Sequence, residues 1–198
     1  MNLVRSSLAG LRLLLAFTLL LGVAYPLAVT GAGQALFGWQ ADGSLVRADG
    51  SHTRDRSEAV GSALVGQQFT GDEWFHPRPS AAGDGYDTLA SGGSNLGPES
   101  PDLVAAIDDR RAQVAATEGV DPADVPADAV TASGSGLDPD VSPAYAAIQV
   151  ERVAAARGLD PARVRELVAE HTRGRTLGVL GDPGVDVLAL NQALVRLS

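Results

Sequence analysis

The hydrophobic positions of this chain are concentrated in one uninterrupted stretch near its beginning. Residues 13–41 contain no charged side chain, and residues 13–29 are apolar apart from Thr18 and a few small or aromatic positions. Together with residues 8–11, the stretch reaches the roughly 20 residues that a helix needs to cross a bilayer core. The pattern therefore predicts a membrane helix within residues 1–36.

A cleaved signal peptide is the alternative interpretation of the same stretch. The apolar region of such a peptide usually runs about 7–15 residues before a cleavage site made of small residues. Here the apolar region is longer, and Ala28-Val29-Thr30 matches such a site poorly. The length therefore favours an anchor that is retained.

Charged residues are distributed unequally on the two sides of this stretch. Arg5 and Arg12 precede it, Arg47 is the first basic residue after it, and all 24 Asp and Glu residues lie beyond position 41. The positive-inside rule therefore predicts a single-pass protein of the cell membrane, with its N-terminus in the cytoplasm and the remainder outside. The 13 remaining Arg leave that remainder with a net charge of about −11, which excludes nucleic acid as a partner.

The rest of the chain, residues 37–198, has apolar runs of two kinds. Prolines and capping residues followed by apolar positions at helical spacing predict helices at residues 101–117, 142–158, 160–171 and 187–197. Shorter apolar runs predict strands at residues 63–65, around Val130 and at 177–180, and Asp-Gly pairs predict hairpin turns at 42–43 and 49–50. Helices mixed with short strands predict a small extracytoplasmic α+β domain.

The chain lacks two residue types that many active sites need. It has no Cys and no Lys, which excludes thiolate ligands, a Walker A phosphate loop and Schiff-base chemistry. Its His residues, at 52, 76 and 171, show no metal-binding spacing, so no metal site is predicted. No Ser occupies a G-x-S-x-G turn, which disfavours a hydrolase.

Two glycine-rich loops are the most distinctive local feature. One reads Ser-Gly-Gly-Ser-Asn-Leu-Gly-Pro at residues 91–98, and the other reads Thr-Ala-Ser-Gly-Ser-Gly-Leu-Asp-Pro at residues 131–139. Such loops can hold an anion on backbone N–H groups, or they can present a shaped surface to a partner. Because Asp138 and Asp140 at the end of the second loop repel phosphate, the residues favour an interaction surface.

Several separated motifs, spread over nearly the whole chain, match one known family in order. Besides the two loops they comprise Phe75-His76, Arg78-Pro79-Ser80, Gln149-Val150, Arg152-Val153, His171-Thr172, Gly174-Arg175 and Leu190-Asn191. The chain resembles the C subunit of the bacterial potassium-transporting P-type ATPase, the Kdp complex. It departs from that family at Asp140, where a His is typical, at Glu151, where a Pro is typical, and in a longer segment at residues 49–58.

The resemblance implies an accessory subunit that is not an enzyme by itself and has no cofactor of its own. Its partners would be a channel-like potassium-binding subunit and a P-type subunit that hydrolyses ATP. In this family the C subunit has been described as a catalytic chaperone that raises the ATP affinity of the catalytic subunit, with ATP contact attributed to it. Because the predicted topology separates the domain from cytoplasmic ATP, direct contact and an indirect effect both stay open.

The loops and the resemblance together give five candidate residues. Their expected role is partner docking or contact with ATP shared with the catalytic subunit, and they are Asn95, Ser133, Ser135, Asp138 and Gln149. Ordering the loops internally is the alternative role for these side chains. A free-standing, membrane-anchored exported binding protein or hydrolase is the alternative function, and it predicts stability and ligand binding without partners.

Overall fold

The apolar stretch forms one continuous helix. The computed structural model describes residues 2–197, and its first elements are α1 (Asn2–Leu19), a π-helical turn (Leu20–Ala24) and α2 (Tyr25–Leu36). The Tyr25 N–H closes the π turn by bonding to the carbonyl of Leu20, five residues earlier, and the next residue, Pro26, has no N–H to donate. The span Leu3–Leu36 is long and apolar enough to cross a membrane, and its most apolar part is not buried by the rest of the chain.

A polar cluster joins the last turn of α2 to the residues that follow. The Gln34 side chain donates to Asp42 at 2.9 Å and accepts from Arg54 at 2.7 Å. Arg54 also forms an ion pair with Asp42, so the three side chains close a ring of contacts. The end of this long apolar helix is therefore fixed to the polypeptide beyond it.

Residues 38–62 form a small unit beside this junction. Its elements are α3 (Gly38–Ala41) and the antiparallel pair β1 (Leu45–Val46) and β2 (Gly61–Ser62). Gly43 and Gly50 adopt φ angles of 98° and 80°. The hairpin turn predicted at residues 49–50 is confirmed by an antiparallel bridge between Val46 and His52. The one predicted at 42–43 is wrong, because that turn connects α3 to β1. The strand predicted at residues 63–65 is wrong, because Ser62 Oγ accepts the Leu64 N–H at 3.3 Å and turns the chain there.

Two long side chains of the last helix fasten this unit to the body of the protein. The helix is α7 (Val187–Leu197), and its Gln192 side chain donates to the carbonyl of Arg47 at 2.9 Å. Arg196 donates to the carbonyl of Asp49 at 2.6 Å. Polar contacts thus continue from the long apolar helix to the helical core.

Three further helices complete that core: α4 (Pro101–Glu118), α5 (Pro143–Arg157) and α6 (Pro161–Glu170). The predicted helices are confirmed to within a residue or two because their end signals are local. Ser142 Oγ accepts the Tyr145 N–H at the start of α5, and Asp160 accepts the Ala162 N–H at the start of α6. Gly158 ends α5 in the left-handed conformation that favours glycine.

A three-stranded antiparallel sheet packs against these helices. It contains β3 (Asp140–Val141), β4 (Thr172–Arg173) and β5 (Gly184–Asp186), in the order β3-β5-β4. Val185 in the central strand lies opposite both Val141 and Thr172 and is fully buried. The core joins sheet and helices through Phe75, Val130, Val141, Val150, Val153, Val164, Val185, Leu190 and Leu194. The predicted α+β class is confirmed.

Two predicted strands are absent from the described residues. Val130 follows a single 3₁₀ turn (Ala127–Ala129) and is buried as part of the core rather than paired in a sheet. Residues 177–180 form the tip of the β4–β5 hairpin, with one isolated bridge between Thr176 and Leu180. A short apolar run cannot distinguish a strand from a 3₁₀ turn or a hairpin tip, because it is too short to show a periodicity.

Candidate docking site formed by two glycine-rich loops

The two glycine-rich loops, 40 residues apart in sequence, pack directly against each other. The carbonyl of Ser135 accepts the Gly92 N–H at 2.9 Å and the Ser91 hydroxyl at 3.0 Å. A Cβ at Gly93 would lie 3.1 Å from the carbonyl oxygen of Gly134, which shows how closely the backbones approach. We call residues 91–98 and 131–139 the paired loops.

A third segment, residues 78–86, contacts the paired loops and holds the second of them in place. Ser80 Oγ donates to the carbonyl of Gly136 at 2.6 Å and accepts the N–H groups of Ala82 and Tyr86. The Tyr86 hydroxyl donates to the carbonyl of Arg78 at 2.6 Å, and burial raises the pKa of this phenol, so it remains a neutral donor. The paired loops therefore have a fixed shape before any partner arrives.

Gly136 is the position where this arrangement depends on the absence of a side chain. Its φ is 67°, and a Cβ would lie 2.7 Å from the Ala82 nitrogen. We expect Gly136→Ala to lower the melting temperature and to increase amide hydrogen exchange in residues 80–92, because strain and a backbone clash act together. Gly134→Ala is the matched control, since a Cβ there meets nothing within 4 Å. Equal behaviour of the two variants would contradict this account.

An ion pair closes the end of the second loop. Arg78 Nη1 donates to Asp138 at 2.8 Å, and Arg78 Nη2 donates to the carbonyl of Thr131 at 3.3 Å. The other carboxylate oxygen of Asp138 accepts the Asp140 N–H at 3.1 Å. Both oxygens of Asp138 thus have partners within the chain, and its charge is balanced by the guanidinium.

The structure brings four of the five candidate residues to the paired loops. Asn95 is exposed at a φ of 54°, and within residues 2–197 its side chain makes no hydrogen bond. Ser135 is also exposed, while Ser133 and Asp138 are half-buried. Asn95 and Ser135 are accordingly the two candidates with side chains open to a partner.

Gln149, the fifth candidate, lies elsewhere and is fully buried on α5. Its amide oxygen accepts the His76 N–H at 2.6 Å, and its amide nitrogen donates to the His76 carbonyl at 3.1 Å. Burial and the nearby Arg152 lower the pKa of the His76 imidazole, so the ring stays neutral. Any part that Gln149 plays in docking is indirect, through the segment that it holds.

Two more polar side chains bond to the backbone of the segment that contains His76, residues 72–76. Neither of them was among the five candidate residues. Asn191 on α7 bonds both the N–H and the carbonyl of Phe75, at 2.9 and 3.0 Å. Arg152 on α5 donates to the carbonyls of Asp72 and Trp74. Arg152-Val153 and Leu190-Asn191 stand among the motifs shared with the family, but nothing local in the sequence indicates their contacts.

A polar cavity of about 390 Å³ lies beside the segment that contains His76. Its walls include Arg78, Arg110, Tyr86, Tyr145 and His76. Arg110 donates to the carbonyl of Val130 at 3.1 Å, so both guanidinium groups are already engaged by the chain. Among residues 2–197, no group of three or more His, Asp or Glu side chains is arranged to hold a metal ion.

These observations define a small α+β protein with one candidate membrane span and a pre-shaped pair of glycine-rich loops. Residues 7–196 match the model of one family, which is described as the c chain of the K⁺-transporting ATPase, KdpC. The chain belongs to this family, and the prediction made from its motifs is confirmed.

Curated relatives agree with the family match over nearly the full length. The potassium-transporting ATPase KdpC subunit of Kineococcus radiotolerans is 60% identical over 193 residues, which cover 98% of this chain and 94% of the relative. The protein of the same name from Gemmatimonas aurantiaca is 56% identical, covering 92% and 88%. The one from Mycobacterium bovis is 51% identical, covering 98% and 99%.

Proposed function

We propose that this chain is the accessory subunit of an ATP-driven potassium uptake complex in the cell membrane. It supports assembly of the complex and raises the ATP affinity of the P-type catalytic subunit, without catalysing a reaction itself. The observation that carries the proposal is the family match over residues 7–196. Its partners are then a channel-like potassium-binding subunit and the subunit that hydrolyses ATP.

The charge distribution supports a topology for this subunit. Arg5 and Arg12 lie at the start of the apolar helix, whereas all 24 acidic residues follow it. The positive-inside rule then assigns the N-terminus to the cytoplasm and the α+β domain to the outside. In that orientation the paired loops meet the extracytoplasmic surface of a partner subunit.

An indirect effect on ATP affinity fits these residues better than direct contact. In the proposed topology the bilayer separates the domain from cytoplasmic ATP. The domain also carries a net charge of about −11, which is unfavourable for a triphosphate. The ATP thus belongs to the catalytic subunit, and this chain acts on it through the assembled complex.

Co-purification tests the proposal with one variant and one control. The wild-type chain should recover both partner subunits from detergent-solubilised membranes. Asn95→Ala should reduce that recovery about fivefold or more, as expected when an exposed interface side chain is removed. Thr117→Ala, an exposed polar position on α4, should recover the partners normally. Normal recovery and normal potassium-stimulated ATPase activity with Asn95→Ala would remove Asn95 from the interface.

The same preparation tests the effect on ATP. Omission of the chain should raise the apparent KM for ATP, and a photoreactive ATP analogue should label the catalytic subunit but not this chain. Labelling within the paired loops would show direct contact instead. A wild-type chain that recovers no partner subunit, yet is stable and binds a ligand alone, would favour a free-standing exported binding protein.

A further inference from the structure

An exposed apolar tip projects from the hairpin between β4 and β5. Leu177, Val179 and Leu180 are 87%, 71% and 58% exposed, although they lie within four residues of one another. Elsewhere between residues 60 and 197, exposed large hydrophobic residues are dispersed along the chain, at Val60, Leu64, Leu89, Leu96, Val104 and Val195. We call residues 176–180 the apolar tip. Clustered exposed apolar side chains of this kind are typical of interaction sites.

The apolar tip is ordered and stands clear of the domain. Thr176 and Leu180 exchange two backbone hydrogen bonds, at 2.9 and 3.0 Å, and the Gly178 N–H bonds to the Arg175 carbonyl at 3.0 Å. A Cβ added at Gly174, Gly178 or Gly181 would meet nothing within 4 Å. A preformed projection of this kind loses little conformational entropy when it docks.

Leu177 occupies a backbone conformation that leucine rarely adopts. Its φ is 55°, in the left-handed region where Gly or Asn is usual. The side chain is almost fully exposed, so packing within this chain does not compensate for the strain. Strain retained at an exposed apolar residue points to a contact outside the chain.

The composition of the tip favours a protein over a lipid surface. Residues 172–183 contain no aromatic side chain, whereas interfacial membrane anchors are rich in Trp and Tyr. The flanking guanidinium groups are engaged, Arg175 with Asp182 at 3.0 Å and Arg173 with Asp140. The acidic domain as a whole is repelled by anionic lipid headgroups.

We propose that the apolar tip inserts into an aliphatic recess on the extracytoplasmic surface of a partner subunit. The rim of that recess carries basic side chains, which complement the net charge of about −11 on residues 37–198. This inference rests on the proposed function, because the partner is a subunit of the same complex. It adds a second point of attachment, separate in sequence from the paired loops.

Leu177→Asn separates docking from folding. Asn tolerates the left-handed conformation, so the melting temperature of the full chain should stay equal or rise. Recovery of partner subunits from membranes should nevertheless fall about tenfold. Val104→Asn is the control, because Val104 is a half-exposed apolar residue on α4, and its recovery should be normal. Normal recovery with Leu177→Asn would overturn the proposal.

A spin label at position 174, beside the tip, identifies what covers the tip. The chain has no Cys, so Gly174→Cys gives a single attachment site in the full-length protein, where a Cβ meets nothing within 4 Å and the three apolar side chains of the tip are kept. In nanodiscs of phosphatidylethanolamine and phosphatidylglycerol, the label should be mobile and accessible to water in the isolated subunit. It should become immobile in the assembled complex.

Other outcomes of the labelling experiment contradict the proposal in different ways. Oxygen accessibility typical of a bilayer, without partner subunits, would assign the tip to lipid. Concentration-dependent immobilisation of the isolated subunit would assign it to a second copy of the chain. A complex that assembles while the label stays mobile overturns the tip proposal alone, whereas a wild-type chain that forms no complex overturns the proposed function as well.

Discussion

Replacing Arg152 by alanine is expected to lower the free energy of unfolding by about 3–5 kcal/mol, the usual cost of leaving a buried charge without its partner. The side chains of Arg152 and Glu118 are only 7% and 1% exposed, and their two hydrogen bonds measure 2.9 and 3.1 Å. The variant also deprives the carbonyls of Asp72 and Trp74 of a donor. Denaturant unfolding followed by circular dichroism measures the loss.

Two comparisons make this expectation specific. Arg163→Ala removes an exposed ion pair with Glu166 and should leave the unfolding midpoint unchanged. The double variant Glu118→Leu, Arg152→Met removes both buried charges and should be more stable than Arg152→Ala. If Arg152→Ala unfolded at the wild-type midpoint, the ion pair would contribute nothing to the fold.

Asn191→Ala is expected to cost about 2–4 kcal/mol, because it leaves two buried backbone groups without partners. The side chain is 1% exposed and bonds both the N–H and the carbonyl of Phe75, a residue that is itself fully buried. Neither backbone group can reach water when the amide is removed. The same unfolding measurement applies, and hydrogen exchange at the Phe75 amide should accelerate.

Gln192→Ala on the same helix provides the comparison for Asn191→Ala. Gln192 is 8% exposed and donates a single hydrogen bond, to the carbonyl of Arg47. Its loss should cost about 1 kcal/mol, near the usual net value of one hydrogen bond. If both variants lost the same free energy of unfolding, the two bonds to Phe75 would contribute no more than the one bond to Arg47.

The sequence predicts those parts of the fold whose signals are local. Ser142-Pro143 and Asp160-Pro161 mark helix starts that the structure confirms, since a cap and its N–H partners lie within three residues. The sheet was not predictable in this way. Strands of two or three residues, such as β3 (Asp140–Val141), are too short to show alternation, and their pairing is decided by tertiary packing.

The candidate site was predictable in composition but not in geometry. The crowding of Gly and Ser indicated both loops, and their motifs indicated the family. Nothing local indicates that Gly92 bonds to Ser135, because the two residues lie more than 40 positions apart. Gln149 was selected as a docking candidate because it is a polar residue in a family motif. In the structure it is fully buried and bonds to the backbone of His76, which its local sequence does not indicate.

The junction between the apolar helix and the α+β domain determines the orientation of the domain relative to the helix. The candidate membrane helix ends at Leu36, α3 begins at Gly38, and the ring of Gln34, Asp42 and Arg54 closes the gap between them. Only Phe37 separates the two helices, so this connection restricts rotation of the domain relative to the apolar helix. A rotation of the candidate membrane helix about its own axis would therefore turn the paired loops through a similar angle.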